Sequence, residues 1–271
     1  MAFRSLILSH IRVEYLKLKF CASVALAAFL SAAYAPAQQM PSLAPPPSSY
    51  SYPQKETLHY AVEWRVFSAG VANIHVESDP NQVHVSASGN TIGAVNLIFP
   101  VKDQFDSWFN RPTGCSTHFT KQIQEGRRSN ATDLQFDYAQ QKQLLNEKNL
   151  VKGTSKHSEG TIPTCVTDVL SSLFYAAAMP LEAGKNFQFP LADAMRVVAV
   201  TMKAEAREEI KTPLGTFQTI RVQPTADSGV VKNRGNIWIW YTDDARHMPV
   251  QMRSRLFWGT ITMKLTSVEQ K

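Results

Sequence analysis

The chain has 271 residues with 28 Lys and Arg against 22 Asp and Glu, a formal charge of +6. Four of the bases (Arg4, Arg12, Lys17, Lys19) and one acid (Glu14) fall within residues 1–37, so the remainder holds 28 − 4 = 24 bases and 22 − 1 = 21 acids, a charge of +3. A nucleic-acid binder usually displays a clustered basic stripe. Here the only adjacent cluster is Arg127-Arg128, which argues against that class of partner.

Residues 1–37 read as an export signal, because four bases precede the apolar run Cys21–Leu30 and small residues follow it. That run has ten residues, whereas a membrane-spanning helix takes ~20. Small-x-small sites end at Ala35 and Ala37, and cutting after Ala37 is expected because it keeps Pro36 off the cut bond. Cys21 opens the apolar run and lacks the small residues before it that a lipoprotein site needs. The expected location is the periplasm or another exported position in the cell envelope. No later segment is apolar enough to cross a membrane.

Residues 38–54 are rich in Pro and Ser, with Pro41, Pro45, Pro46, Pro47 and Pro53, and predict a disordered linker. Residues 55–271 then form one domain, long enough for a single core.

Within that domain, alternation of period two dominates, as expected for strands with one buried face. Leu58, Tyr60, Val62, Trp64 and Val66 point one way, against Thr57, His59, Glu63 and Arg65. After the turn Ser68-Ala69-Gly70 come Ala72, Ile74 and Val76, and then Val83, Val85 and Ala87. Further strands are expected near 103–110, 116–124, 131–138, 186–190, 195–211, 216–224 and 235–242. The clearest hairpin is the last: Met248, Val250, Met252, Leu256 and Trp258, then Gly259, then Ile261, Met263 and Leu265. One helix is expected over 165–178, where Val166, Val169, Leu170, Leu173, Phe174 and Ala177 follow helical spacing and Pro180 stops it. Thr167, Asp168, Ser171, Ser172 and Tyr175 make its polar face. The fold class is mainly β: a curved antiparallel sheet or open barrel packed on one amphipathic helix.

Several residue groups invite a functional reading. Trp64, Trp238, Trp240 and Trp258 sit at strand positions, either as core or as the aromatic lining of a concave face. Asp243-Asp244-Ala245-Arg246-His247 holds acid-base residue types, but its composition is that of a strand-to-strand turn. Cys115 and Cys165 form an even pair in an oxidising compartment, which permits a disulfide. Spacing alone does not separate a bridge from two buried thiols. The histidines show no ligand spacing and no Cys-x-x-Cys is present, so neither metal nor cofactor is expected. The Gly-x-Ser-x-Gly elbow, Walker loop and Gly-x-Gly-x-x-Gly are also missing from the sequence. Arg253, Arg255 and Lys264 share the outward face of the last hairpin.

Three stretches combine: Glu56–Trp64 with Ala69-Gly70 after it; Asp168–Tyr175 followed by Leu181-Glu182-Ala183-Gly184; and Thr212-Pro213-Leu214-Gly215-Thr216-Phe217 with Ile237–Tyr241, Asp243-Asp244-Ala245-Arg246, Pro249-Val250 and Trp258-Gly259. Over roughly residues 55–267 this combination resembles an exported bacterial family, domain of unknown function family 3108. The resemblance implies export and an antiparallel β domain, with lipoprotein-carrier and lipocalin-like sheets as fold analogies only. It carries no catalytic residue over. The function expected is non-enzymatic binding of an envelope lipid or glycan in a concave β face. The rivals are an envelope hydrolase using Asp168, His247 or the Asp243/Asp244 pair, and a structural partner in an envelope assembly joined through a sheet edge. The sequence leaves the oligomeric state open.

Overall fold

A computed structural model describes residues 40–233, 236–257 and 259–270. The expected export signal and Trp258 lie outside the described residues.

The alternating segments form fourteen strands: β1 (Lys55–Trp64), β2 (Phe67–Ser78), β3 (Gln82–Thr91), β4 (Lys102–Asn110), β5 (Ser116–Glu125), β6 (Arg128–Asp137), β7 (Lys142–Asn149), β8 (Thr154–Thr161), β9 (Asn186–Asp193), β10 (Arg196–Thr212), β11 (Gly215–Thr225), β12 (Asn236–Thr242), β13 (Pro249–Leu256) and β14 (Gly259–Gln270). Among the described residues three short helices interrupt them: α1 (Gly93–Ile98), α2 (Ser171–Ala178) and α3 (Gly229–Asn233). The strands make one sheet in the order β8-β7-β6-β5-β4-β3-β2-β1-β14-β13-β12-β11-β10-β9, antiparallel throughout. It consists of two meanders joined along β1 and β14, and it does not close into a barrel.

Strands β7 and β8 are additions to the sequence expectation. β8 reads Thr-Ser-Lys-His-Ser-Glu-Gly-Thr, with no apolar residue, so the period-two signal is missing. Its polarity suits an edge, where charged side chains discourage pairing with another chain. The β1–β2 register shifts between Val62 and Glu63, where Ala69 of β2 is the extra residue. Leu58 and Tyr60 in the middle of β1 are buried, while Trp64 at its end and Val66 in the turn beyond it are exposed.

The inward faces form two clusters. One contains Leu58, Ile74, Val83, Phe109, Phe119, Leu134 and Phe174. The other contains Tyr175, Phe189, Val200, Ile220, Val222 and Tyr241. Helix α2 thus gives Phe174 to one cluster and Tyr175 to the other, each large side chain contributing ~1.5–3 kcal/mol on burial.

The helix is shorter than expected. Residues 166–168 are extended: Thr167 N–H donates to the Pro190 carbonyl at 3.0 Å, Ala192 N–H donates to the Thr167 carbonyl at 2.7 Å, and Ser116 N–H donates to the Val166 carbonyl at 2.8 Å. Backbone groups that helical spacing would place inside the first turns therefore tie β5 to the edge of β9. Thr167, Asp168 and Ser171, expected on a polar face, are buried.

The linker expectation is also corrected. From Met40 onward the chain lies against the domain, with Tyr52 buried in the first cluster and Tyr175 Oη donating to the Ala44 carbonyl at 2.9 Å. Tyr52 within the Pro/Ser segment and Tyr175 of α2 supply the anchoring that composition alone conceals. Cys115 and Cys165 are bridged, with Cα atoms 5.1 Å apart, which settles the alternative left open by spacing. The β10–β11 hairpin leaves the sheet at a bulge between Ala204 and Ala206. Its tip reaches β14, where Leu214 N–H donates to the Leu265 carbonyl at 3.3 Å.

Candidate functional site

Trp238 and Trp240 share one face of β12, facing Arg253 and Gln251 of β13. Trp240 is only 3% exposed, belongs to the first cluster, and has the Arg253 guanidinium 5.1 Å from its ring centroid. Trp238 is partly buried against the same cluster, as are Ile210 and Phe217 of the β10–β11 hairpin. Trp64 stands at the end of β1, separated from β12 by β14 and β13, and is 38% exposed. The expected aromatic face is therefore packed at Trp240 and does not gather Trp64.

The rival catalytic residues are held by the fold. Asp168 Oδ2 accepts from the Ser107 hydroxyl at 2.6 Å and the Ser116 hydroxyl at 2.7 Å; Oδ1 accepts from the N–H groups of Leu170 at 2.8 Å and Ser171 at 2.9 Å. Burial pushes its carboxyl pKa above the ordinary value, and these bonds offset that only in part. His247 is elsewhere, its Nδ1 2.7 Å from the Ala177 carbonyl at the far end of α2. In the turn after β12, Asp244 Oδ1 accepts from Thr242 Oγ1 and from the N–H groups of Arg246 and His247, the bonding of an Asx-turn. Asp243 pairs with Arg207 at 2.6 Å. The small cavity of about 110 Å³ beside this turn is occupied on one side by the ion pair of Glu56 and Arg246.

A larger feature lies on the other face of the first meander. Phe119, Leu134 and Leu145 face the core, so their chain neighbours in β5, β6 and β7 face away from it. In register across β4 to β8, Asp106, Thr120, Asp133, Asn146 and His157 form one row, and Gln104, Gln122, Ala131, Lys148 and Ser155 the next. They line an open groove of about 650 Å³, within the usual range of ligand sites.

Each aspartate in the groove is held on both oxygens. His84 Nε2 lies 3.0 Å from Asp106 Oδ1, and Gln104 Nε2 donates to Oδ2 at 3.3 Å. His118 Nε2 lies 2.9 Å from Asp133 Oδ2, and Gln135 Nε2 donates to Oδ1 at 3.1 Å. Trp108 is stacked between the two histidines, with centroids 4.5 Å from His84 and 4.9 Å from His118. The stack fixes both imidazoles, which in turn fix both carboxylates. Sequence reasoning missed this group; the available signal was Trp108 in phase with Gln104 and Asp106, an aromatic on the polar side of its strand. Among the described residues no cluster of His, Cys, Asp and Glu has the arrangement to hold a metal ion.

Against this geometry, the model of a family described as "Protein of unknown function (DUF3108)" matches residues 59–266. The chain belongs to DUF3108. Among solved structures, the DUF3108 chain is similar to a beta-barrel-like protein of domain of unknown function DUF1849 from Brucella abortus. The identity is 11% and the TM-score 0.55, over 81% of this chain and 99% of that one. This likeness extends to the fold alone. A protein described as exported, with a YmcC-like fold, from Bacteroides fragilis matches at 8% identity and TM-score 0.36, over 82% of this chain and 98% of that one. One described as a lipoprotein from Parabacteroides distasonis matches at 10% identity and TM-score 0.35, over 80% and 97%. A comparison with curated proteins finds no match.

Proposed function

We propose that this DUF3108 chain is an exported, non-enzymatic binder of an envelope glycan, held in the groove over β4–β8. The observation that carries the reading is the pair of oriented carboxylates, Asp106 and Asp133, standing among the side chains of Thr120, Asn146, Gln104 and Gln122. Carboxylates with fixed lone pairs, amides and hydroxyls match the hydroxyl groups of a sugar. A lipid chain laid in the same groove would strip the remaining water from those carboxylates and offer no polar group in return, which is costly. The basic and apolar start of the sequence supports export.

Calorimetric titration with soluble fragments of envelope polysaccharide tests this. Binding that is abolished in Asp133→Asn and Asp106→Asn, both with unchanged melting, is expected. Silence toward every glycan while an acyl lipid co-purifies would overturn it.

One observation favours a second reading. Asp106 and Asp133 stand two strands apart, roughly 9–10 Å by strand spacing, near the wide limit for an inverting glycosidase. Chromatography of the same fragments after incubation separates the two readings, since a binder returns them intact.

A further inference from the structure

Because every neighbouring pair is antiparallel, the connections β1–β2, β3–β4, β5–β6, β7–β8 and β13–β14 all leave the sheet at one end. Among the described residues, every large hydrophobic side chain more than half exposed lies in these connections or at their borders. They are Val66 (83%), Phe67 (63%), Leu97 (87%), Ile98 (85%), Phe99 (52%), Val151 (64%) and Phe257 (100%). Scattered exposed apolar residues need no explanation, whereas concentration on one rim does.

The rim is continuous. Arg65 N–H donates to the Thr260 carbonyl at 2.7 Å, joining the β1–β2 and β13–β14 connections. Ile92 N–H reaches the Ala69 carbonyl of β2 at 3.0 Å, and Gly126 N–H reaches the Pro100 carbonyl at 2.8 Å. Leu150 N–H then meets the Ser129 carbonyl at 2.8 Å.

Charge follows the same pattern. Residues 64–67, 91–102, 125–128, 149–154 and 255–260 hold six bases, Arg65, Lys102, Arg127, Arg128, Lys152 and Arg255, and one acid, Glu125, a net of 6 − 1 = +5. The DUF3108 chain outside the expected signal carries only +3 in all, so the rim is basic against a slightly acidic remainder. Apolar tips interspersed with bases are the composition of an interfacial anchor: the tips enter the acyl boundary while the bases meet anionic headgroups.

We propose that this rim docks the domain onto the surface of an anionic lipid bilayer. No helix among the described residues is long and apolar enough to cross a membrane, so the tips would rest in the interface without spanning it. The proposal is independent of the groove.

The test is flotation of the protein, purified as an expressing bacterium exports it, with vesicles of phosphatidylethanolamine and phosphatidylglycerol. Two variants are compared with wild type: Leu97→Ser/Ile98→Ser/Phe257→Ser, and Arg127→Glu/Arg128→Glu. All five positions are exposed, four of them on connections and Arg128 at the first residue of β6, so melting should be unchanged. Expected is flotation of wild type, weakened roughly tenfold or more in each variant, with the wild-type association falling as salt rises. Failure of wild type to float, or flotation of the variants equal to wild type, overturns the proposal. So does a wild-type dimer that the apolar variant alone dissolves, since the rim would then be an interface between copies.

Discussion

Arg246, in the turn after β12, donates to the carboxylate of Glu56 at the start of β1, 190 positions away in the sequence. Glu56 is 3% exposed and its Oε2 also accepts from Gln270 Nε2 at 2.7 Å. The basic residue of a surface turn is therefore a long-range clamp between the two meanders.

Arg246→Ala leaves that carboxylate buried with one neutral donor. Breaking a fully buried pair costs about 3–5 kcal/mol. Because the arginine is half-exposed and screened by water, the expected loss is smaller, about 2 kcal/mol. Urea unfolding checks the value, and Glu56→Gln/Arg246→Ala should recover part of it.

Asp168→Ala should cost about 3 kcal/mol or more in urea unfolding, since it strands the Ser107 and Ser116 hydroxyls and two backbone N–H groups, each worth ~1–3 kcal/mol when buried and unsatisfied. The pH dependence has a definite sign. Burial raises the carboxyl above its ordinary value of 3.8, so the folded protein binds the proton more tightly than the unfolded chain. The stability this group contributes is complete below that value and is lost as pH rises through the folded one. Asp168→Asn should remove this fall, and unfolding curves of both proteins across mildly acidic pH would reveal it.

Trp240→Ala should destabilise by about 3–5 kcal/mol, as for a buried tryptophan, and leave glycan titrations of the folded protein unchanged. Trp238→Ala, at a partly buried site, should cost less. A loss of glycan binding in either variant without a loss of stability would return the site to the tryptophan face.

The Cys115–Cys165 bridge closes a separation of 50 residues, for which chain entropy gives about 4 kcal/mol. Cys115→Ser/Cys165→Ser should lose stability of that order, and thiol titration of the unfolded oxidised DUF3108 chain should find neither cysteine of this pair.

Which parts of the molecule were legible follows from what each residue answers to. Leu58, Ile74, Val83 and Val85 alternate because one sheet face is dry, and sequence spacing reads that directly. β8 has no dry face to report. Val166 and Val169 kept helical spacing while the backbone at Thr167 served as a strand partner, a tertiary override that spacing does not register. Tyr52 and Tyr175 pinned a proline-rich segment whose composition points to disorder. At Trp240 the aromatic signal was sound, but the ring is packed into the first cluster with the Arg253 guanidinium over it. The groove was hidden for a related reason: Asp106 and Asp133 acquire meaning only when three antiparallel registers bring them together with His84 and His118.

The pairing of β1 with β14 has a consequence for how the molecule is made. The first and last strands lie side by side in the middle of the sheet, while its two edges come from the middle of the sequence. Each meander can assemble from local hairpins, but the seam waits for the final strand to arrive. Such distant pairing slows folding and leaves unpaired edges exposed meanwhile. A chain threaded through a membrane from its amino-terminal side would therefore present β1 with one open edge until β14 has emerged.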